Sequence, residues 1–270
     1  VLTILLINRK LIAKISFADS QLGMECLHLP SMKKVIKNFL RNRGYEIRPI
    51  DTHQEQIDLV NYNWLRNKNI NTILDIGASF GQYATKARKI FPDAHIISFE
   101  AIPASFEILK EKLGNNKSHS FHNLALSNYR GETVFRISSN SGSSSLLEMN
   151  DVHKTNYPES KDIREITIPC DKLDNVLQNT PLNEKVLMKL DVQGAEKLVL
   201  EGAEETLKKV DIIFSEINFT ELYKGNVSFS ELSKYLYERG FAVIGIENVS
   251  QSPIDGSFLQ ADAYFERIRK

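Results

Sequence analysis

Twice in this chain a short apolar run carries an acid to its end, turns at glycine and gives way to a helical pattern. The first is Asn71–Ile76 (NTILDI), which stops at Gly77; Phe80, Ala84, Ala87 and Phe91 then recur at helical spacing until Pro92 closes the segment. The second is Val186–Leu190 followed by Asp191, with Gly194 leading into a helical stretch over Ala195–Lys208 that Gly202 interrupts. Such buried runs belong in a parallel sheet covered by helices. Ala94–Glu100, His119–Leu124 and Asp211–Glu216 read as further strands. Phe106, Leu109 and Leu113 mark a helix ending at Gly114, and Phe229, Leu232 and Leu236 one ending at Gly240. Ala242–Ile246 and Ala261–Glu266 are expected as an antiparallel pair at the sheet edge. The fold class is α/β, a mostly parallel sheet with helices on both faces.

Two stretches stand outside this alternation. Residues 130–170 form an insert with strands expected at Thr133–Ile137 and around Glu165–Pro169. Between them lies the serine-rich loop SSNSGSSS, whose composition predicts a mobile segment. The main domain is expected over 70–270, with 32–69 as an N-terminal helical cap. Met32 opens a stretch, MKKVIKNFLRNRGYEI, that reads like a natural amino terminus. Residues 1–31 are therefore expected to be either an upstream extension or a real first helix or strand packed on the domain.

Composition removes several functions. Lys plus Arg and Asp plus Glu both number 34, so no global field draws the chain to nucleic acid or to an acidic membrane surface. Cys26 and Cys170 form no CxxC pair, which points to a reducing compartment. The apolar run Leu2–Ile7 is too short to cross a bilayer and lacks the flanks of a signal peptide. A cytoplasmic protein without a membrane span is the expectation. The six histidines show no HxxxH or HxH spacing, and no metal site is expected.

The chemistry concentrates at the carboxyl ends of the strands, where open α/β sheets bind ligands. In DIGASFG, Gly77 allows a tight turn close to a ligand, Gly81 permits close helix packing, and the N–H groups opening the next helix suit an anion. Glu100 ends the second strand, placed to accept hydrogen bonds from the two ribose hydroxyls of a nucleoside. A dinucleotide fingerprint would need a middle glycine where Ser79 stands. The competing reading is a turn and nothing more.

Asp191 reaches the same crevice one crossover later. A carboxylate there can orient a hydroxyl and accept its proton, or simply stabilise the helix that follows. Glu216 and Asn218 end the next strand on the same edge. Lys189 is read as a structural ion-pair partner of Glu216 or another carboxylate.

Taken together, DIGASFGQ at 75–82, SFEAIPASFEIL at 98–109, ALSNYRGE at 125–132, SSSL at 143–146, DKLDNVL at 171–177, KLDVQGAEKLVLEGA at 189–203 and LQADAYFER at 259–267 resemble the FkbM family of methyltransferases. The resemblance runs from about Ile70 to the carboxyl end. It implies a Rossmann-like fold with a seven-stranded sheet, S-adenosyl-L-methionine as methyl donor, and O-methylation of a sugar, glycan or other hydroxyl-bearing small molecule. Carried onto this chain, Asp75, Gly77, Ala78, Gly81 and Gln82 would lie at the methionine end and Glu100 at the ribose. Asn123 and Ala125 would lie near the adenine, while Asp191 and Gln193 would face the transferring methyl group, Asp191 as the catalytic residue. The loop over 138–145 and the N-terminal segment would cover the site. Ser79 replaces the family's usual Asn, and Ala101 its usual Pro, which bears on affinity more than on cofactor identity. The rival readings are a nicotinamide-dependent oxidoreductase and an inactive cofactor-binding module.

Overall fold

The computed structural model describes residues 2–7, 10–15, 41 and 62–268. The chain divides into two compact units, Val1–Asp58 and Leu59–Lys270. In the first, β1 (Leu2–Ile7) and β2 (Lys10–Ile15) pair antiparallel with Leu2 opposite Ile15. The boundary expected at residue 31, and most of the helical cap expected over 32–69, lie outside the described residues. Of that cap, Arg41 is helical and α1 (Asn63–Arg66) belongs to the second unit.

The second unit carries the alternation. β3 (Thr72–Ile76), α2 (Gln82–Ile90), β4 (His95–Phe99), α3 (Pro103–Leu113) and β5 (His119–His122) form its first half. After the insert come β9 (Val186–Leu190), α6 (Glu196–Glu201), α7 (Glu204–Leu207), β10 (Val210–Asn218), α8 (Phe229–Glu238), β11 (Phe241–Gln251) and β12 (Phe258–Arg267). Their sheet has seven strands in the order β11-β12-β10-β9-β3-β4-β5. From β10 to β5 all neighbours are parallel, and β12 runs antiparallel to both β10 and β11. The reversed strand is thus second from the edge, with β11 outside it.

β3 and β9 are buried along their whole length because they are covered on both faces. On one face Leu74, Ile76, Met188 and Leu190 pack with Val199, Leu200 and Leu232. On the other, Ile73 and Leu187 pack with Ala84, Ala87 and Ile90 of α2. Full burial of each Leu, Ile, Val or Met among these contributes about 1.5–3 kcal/mol. α8 is opened by a capping box, in which Ser228 and Glu231 satisfy each other's backbone N–H.

The insert is a second, three-stranded sheet of order β6-β8-β7, built from β6 (Ala125–Leu126), β7 (Gly131–Ser138) and β8 (Ile163–Asp171). The short helix α4 (Asp151–Asn156) lies between β7 and β8, and α5 (Leu173–Val176) follows β8. The serine-rich loop is pinned. Ser138 Oγ donates to Ser160 O, Ser144 Oγ accepts from Ser138 N, and Ser145 Oγ donates to Gln193 O at 2.7 Å. The mobility expected from composition gives way to a hydrogen-bonded wall, because its hydroxyls satisfy backbone groups that a loop would otherwise leave to water. No helix among the described residues is long and apolar enough to cross a membrane.

Candidate active site

The first turn follows β3. Gly77 has φ +77°, and a Cβ there would stand 1.9 Å from the carbonyl oxygen of Asp191, so the position needs glycine twice over. The N–H groups of Gly77 and Ala78 both donate to Phe99 O, and Ser79 N–H donates to Glu100 Oε2 at 2.7 Å. These bonds hold Ser79 at φ +48°. α2 begins without a side-chain cap, at Gly81 with φ +76°. The first-turn N–H groups of such a helix attract an anion. Gly81 itself serves packing: a Cβ would meet Leu109 and Leu113 side chains within 3 Å.

Glu100 follows β4. Its Oε1 accepts from Ile102 N–H at 2.8 Å, while Oε2 holds Ser79. Burial raises its pKa, and the two backbone bonds offset only part of that rise. The Asn123 amide donates to Glu100 O, so Asn123 braces the strand end behind the site.

The second turn follows β9. Asp191 N–H donates to Ile76 O, which stitches the two turns together. The side chain is half exposed. Its Oδ1 accepts from Gln193 Nε2 at 2.9 Å and its Oδ2 lies 3.5 Å from Lys189 Nζ. Gln193 sits at φ +56° and bridges carboxylates, since Nε2 also donates to Glu216 Oε2 at 3.0 Å. Its Oε1 is 2.9 Å from the Tyr223 hydroxyl, which also lies 3.2 Å from His153 Nε2. Glu216 is buried, which raises its pKa well above the carboxylate range, with Asp191 and Glu196 adding to the effect. Glu196 is raised to about 7 by burial, against backbone bonds that include those from Val192 and Gly194.

One cavity, open to solvent, joins these parts. Of the residues singled out in the sequence, Gly77, Ser79, Glu100, Ala101, Ala125, Asp191 and Gln193 line it. Asp75, Ala78, Gly81, Gln82 and Asn123 do not. Asp75 is fully buried beneath the turn, with Ser98 Oγ donating to its Oδ2 and Lys189 3.5 Å from its Oδ1. Lys189 therefore pairs with Asp75 and Asp191 rather than with Glu216, whose partners are Gln193 and Gln260.

Sequence reasoning did not name the apolar slot beside Glu100, made by Ile102, Leu124, Leu126 and Phe135. Phe135 reaches it from the separate sheet of the insert, a placement no local pattern signals. Ser141, Gly142 and Ser144 of the serine-rich loop line the cavity, as its expected position over the site suggests. A covering role for the N-terminal segment lies outside the described residues. Tyr223 and His153 carried no signal beyond their residue types.

Residues 75–243 match the family described as Methyltransferase FkbM domain. The 2-O-methyltransferase NoeI of Sinorhizobium fredii is 25% identical over 205 residues, which cover 74% of this chain and 82% of that protein. Methyltransferase 1 of Beauveria bassiana is 26% identical over 197 residues, 68% of this chain and 76% of that one. Among solved structures, a SAM-dependent methyltransferase from Anabaena variabilis aligns with a TM-score of 0.42 at 11% identity, over 78% of this chain and 82% of its own.

Proposed function

Because this chain belongs to the FkbM methyltransferase family, we propose that it is an O-methyltransferase that uses S-adenosyl-L-methionine to methylate a hydroxyl of a sugar, glycan or related small molecule. The observation that carries this reading is one cavity lined together by Glu100, the glycine turn and Asp191. Three features fit the cofactor. Gly77 and Ser79 line the cavity on the turn that leads to α2, whose N-terminus carries no side-chain cap and suits a carboxylate. Each Glu100 oxygen accepts one backbone N–H and keeps acceptor capacity for a ribose hydroxyl. The slot of Ile102, Leu124, Leu126 and Phe135 suits a purine.

When bound, S-adenosyl-L-methionine supplies an electrophilic methyl group on a sulfonium. This chain supplies the rest. Backbone bonds to Ser79 and Ile102 fix Glu100 before any ligand arrives, so little ordering remains to be done on binding. Asp191, held by Gln193 and Lys189, orients the acceptor hydroxyl and takes the proton released as the oxygen is methylated. The carboxylate is half exposed, so the proton passes on to solvent. The 2-O-methyltransferase among the relatives supports an oxygen acceptor. A cytoplasmic site of action, and a small-molecule or glycan rather than a nucleic-acid partner, go with this reading.

Isothermal titration calorimetry with S-adenosylhomocysteine tests it directly. Saturable binding by the full chain is expected. No heat at millimolar ligand would remove the cofactor and the reaction with it.

A further inference from the structure

Lys189 touches both turns yet does not line the cavity. It is 5% exposed on β9, and its ammonium donates to Gly77 O at 2.7 Å and reaches Ile76 O at 3.3 Å. Asp75 Oδ1 and Asp191 Oδ2 lie 3.5 Å from it on either side. These carboxylate contacts are ion pairs, longer than charge-assisted hydrogen bonds. Burying a charged pair is costly, and an apolar residue in this otherwise apolar strand core would serve packing as well or better. What the ammonium adds is a link. One side chain holds the Gly77 carbonyl of one cavity-lining turn and sits beside the Asp191 carboxylate of the other.

We propose that Lys189 is a positioning residue that locks the Gly77 turn and Asp191 into one frame, so that affinity for the nucleoside cofactor depends on a side chain outside the cavity. This rests on the cofactor reading above. Gly77 and Asp191 already meet at the backbone, where Asp191 N–H bonds to Ile76 O and Asp191 O fills the space of a Gly77 Cβ. Lys189 holds the other side of that junction. Without it, the Gly77 carbonyl loses its donor and the Asp191 carboxylate keeps only Gln193.

The test uses the full chain and S-adenosylhomocysteine as probe. Asp75→Asn with Lys189→Met removes the buried pair together, which such sites tolerate with little loss of stability. The expected result is a melting temperature near that of the wild type and a Kd weakened about tenfold or more. An unchanged Kd, within about twofold, in a variant that melts normally would reduce Lys189 to a structural ion pair. Should that variant fail to fold, Lys189→Arg decides. It keeps the charge, but a planar guanidinium cannot reproduce the compact ammonium geometry. A weakened Kd at a normal melting temperature supports the role, and an unchanged one overturns it. Wild-type protein that binds no probe would instead overturn the cofactor reading, and the role of Lys189 with it.

Discussion

Gly77→Ala tests whether the two turns must touch. A φ of +77° costs an L-residue about 1–2 kcal/mol. The added methyl would lie 1.9 Å from Asp191 O and 2.9 Å from its carbonyl carbon, whereas real contacts of this kind begin near 3.0 Å. The Asp191 turn must therefore retreat by roughly 1 Å, and overpacking of this sort costs about 1–3 kcal/mol. The sum is about 2–5 kcal/mol, or roughly 4–20 °C in melting temperature for a domain of this size. Gly256→Ala is the control. Its φ is +75° and nothing lies within 4 Å of the added methyl, so it carries only the backbone strain. Urea unfolding of both variants gives the difference, and calorimetry with S-adenosylhomocysteine reports the site. Gly77→Ala should lose at least about 1 kcal/mol more than Gly256→Ala and bind the probe more weakly. Equal losses with unchanged binding would refute the interlocked turns.

Glu100→Gln leaves one acceptor where the backbone presents two donors, and turns an amide N–H toward one of them; the affinity for S-adenosylhomocysteine should fall about tenfold to a hundredfold by calorimetry. Asp191→Asn should bind the probe within about threefold of wild type but lose at least about a hundredfold in methyl transfer to a responsive hydroxyl acceptor, read by radiolabelled methyl incorporation. His153 is held neutral by burial, which lowers its pKa from 6.5 to about 4. The unfolded chain binds that proton first as pH falls, so the stability His153 contributes is lost between about pH 6.5 and 4. In melts across this window, toward low pH, His153→Phe should lose less stability than wild type, or gain more; His119, also lowered to about 4 mainly by burial, acts in the same direction as His153, and Glu196, raised to about 7 by burial, in the opposite one. Ser228→Ala removes the capping box of α8 and should cost about 0.5–2 kcal/mol in urea unfolding.

The parallel core was legible because β3 and β9 are apolar on both faces, and only a strand between two helical layers can bury both. Glu100 and Asp191 were legible for a related reason: an acid at the end of such a run has nowhere to go but the sheet's carboxyl edge. Asp75 was harder to place. One residue before the end of its strand, it points into the core instead of the cavity, and only the register with Lys189 decides this. The apolar slot was not legible at all, because Phe135 comes to it from a different sheet. The serine-rich loop misled for a physical reason, since the composition that makes a loop mobile in water also supplies the hydroxyls that pin it when buried acceptors lie nearby.

These distinctions bear on why the glycine turn and the acidic turn occur as a pair. A glycine after β3 is needed both for its φ of +77° and because Asp191 O stands where a Cβ would be. Asp191 can stand there only because its N–H finds Ile76 O, and that bond in turn requires the short turn Gly77 permits. Lys189 gives the same junction a charge that neither turn supplies, and Asp75 gives that charge a counterion from the neighbouring strand. Each residue is weakly informative alone. A Gly77 turn without Asp191 beside it would remove the clash but keep the φ of +77°, and an Asp191 turn without Gly77 would clash. The site is specified by the fit between two strand ends, and for that reason substitutions at Gly77 and Lys189 should be felt in ligand affinity, although Lys189 lies outside the cavity.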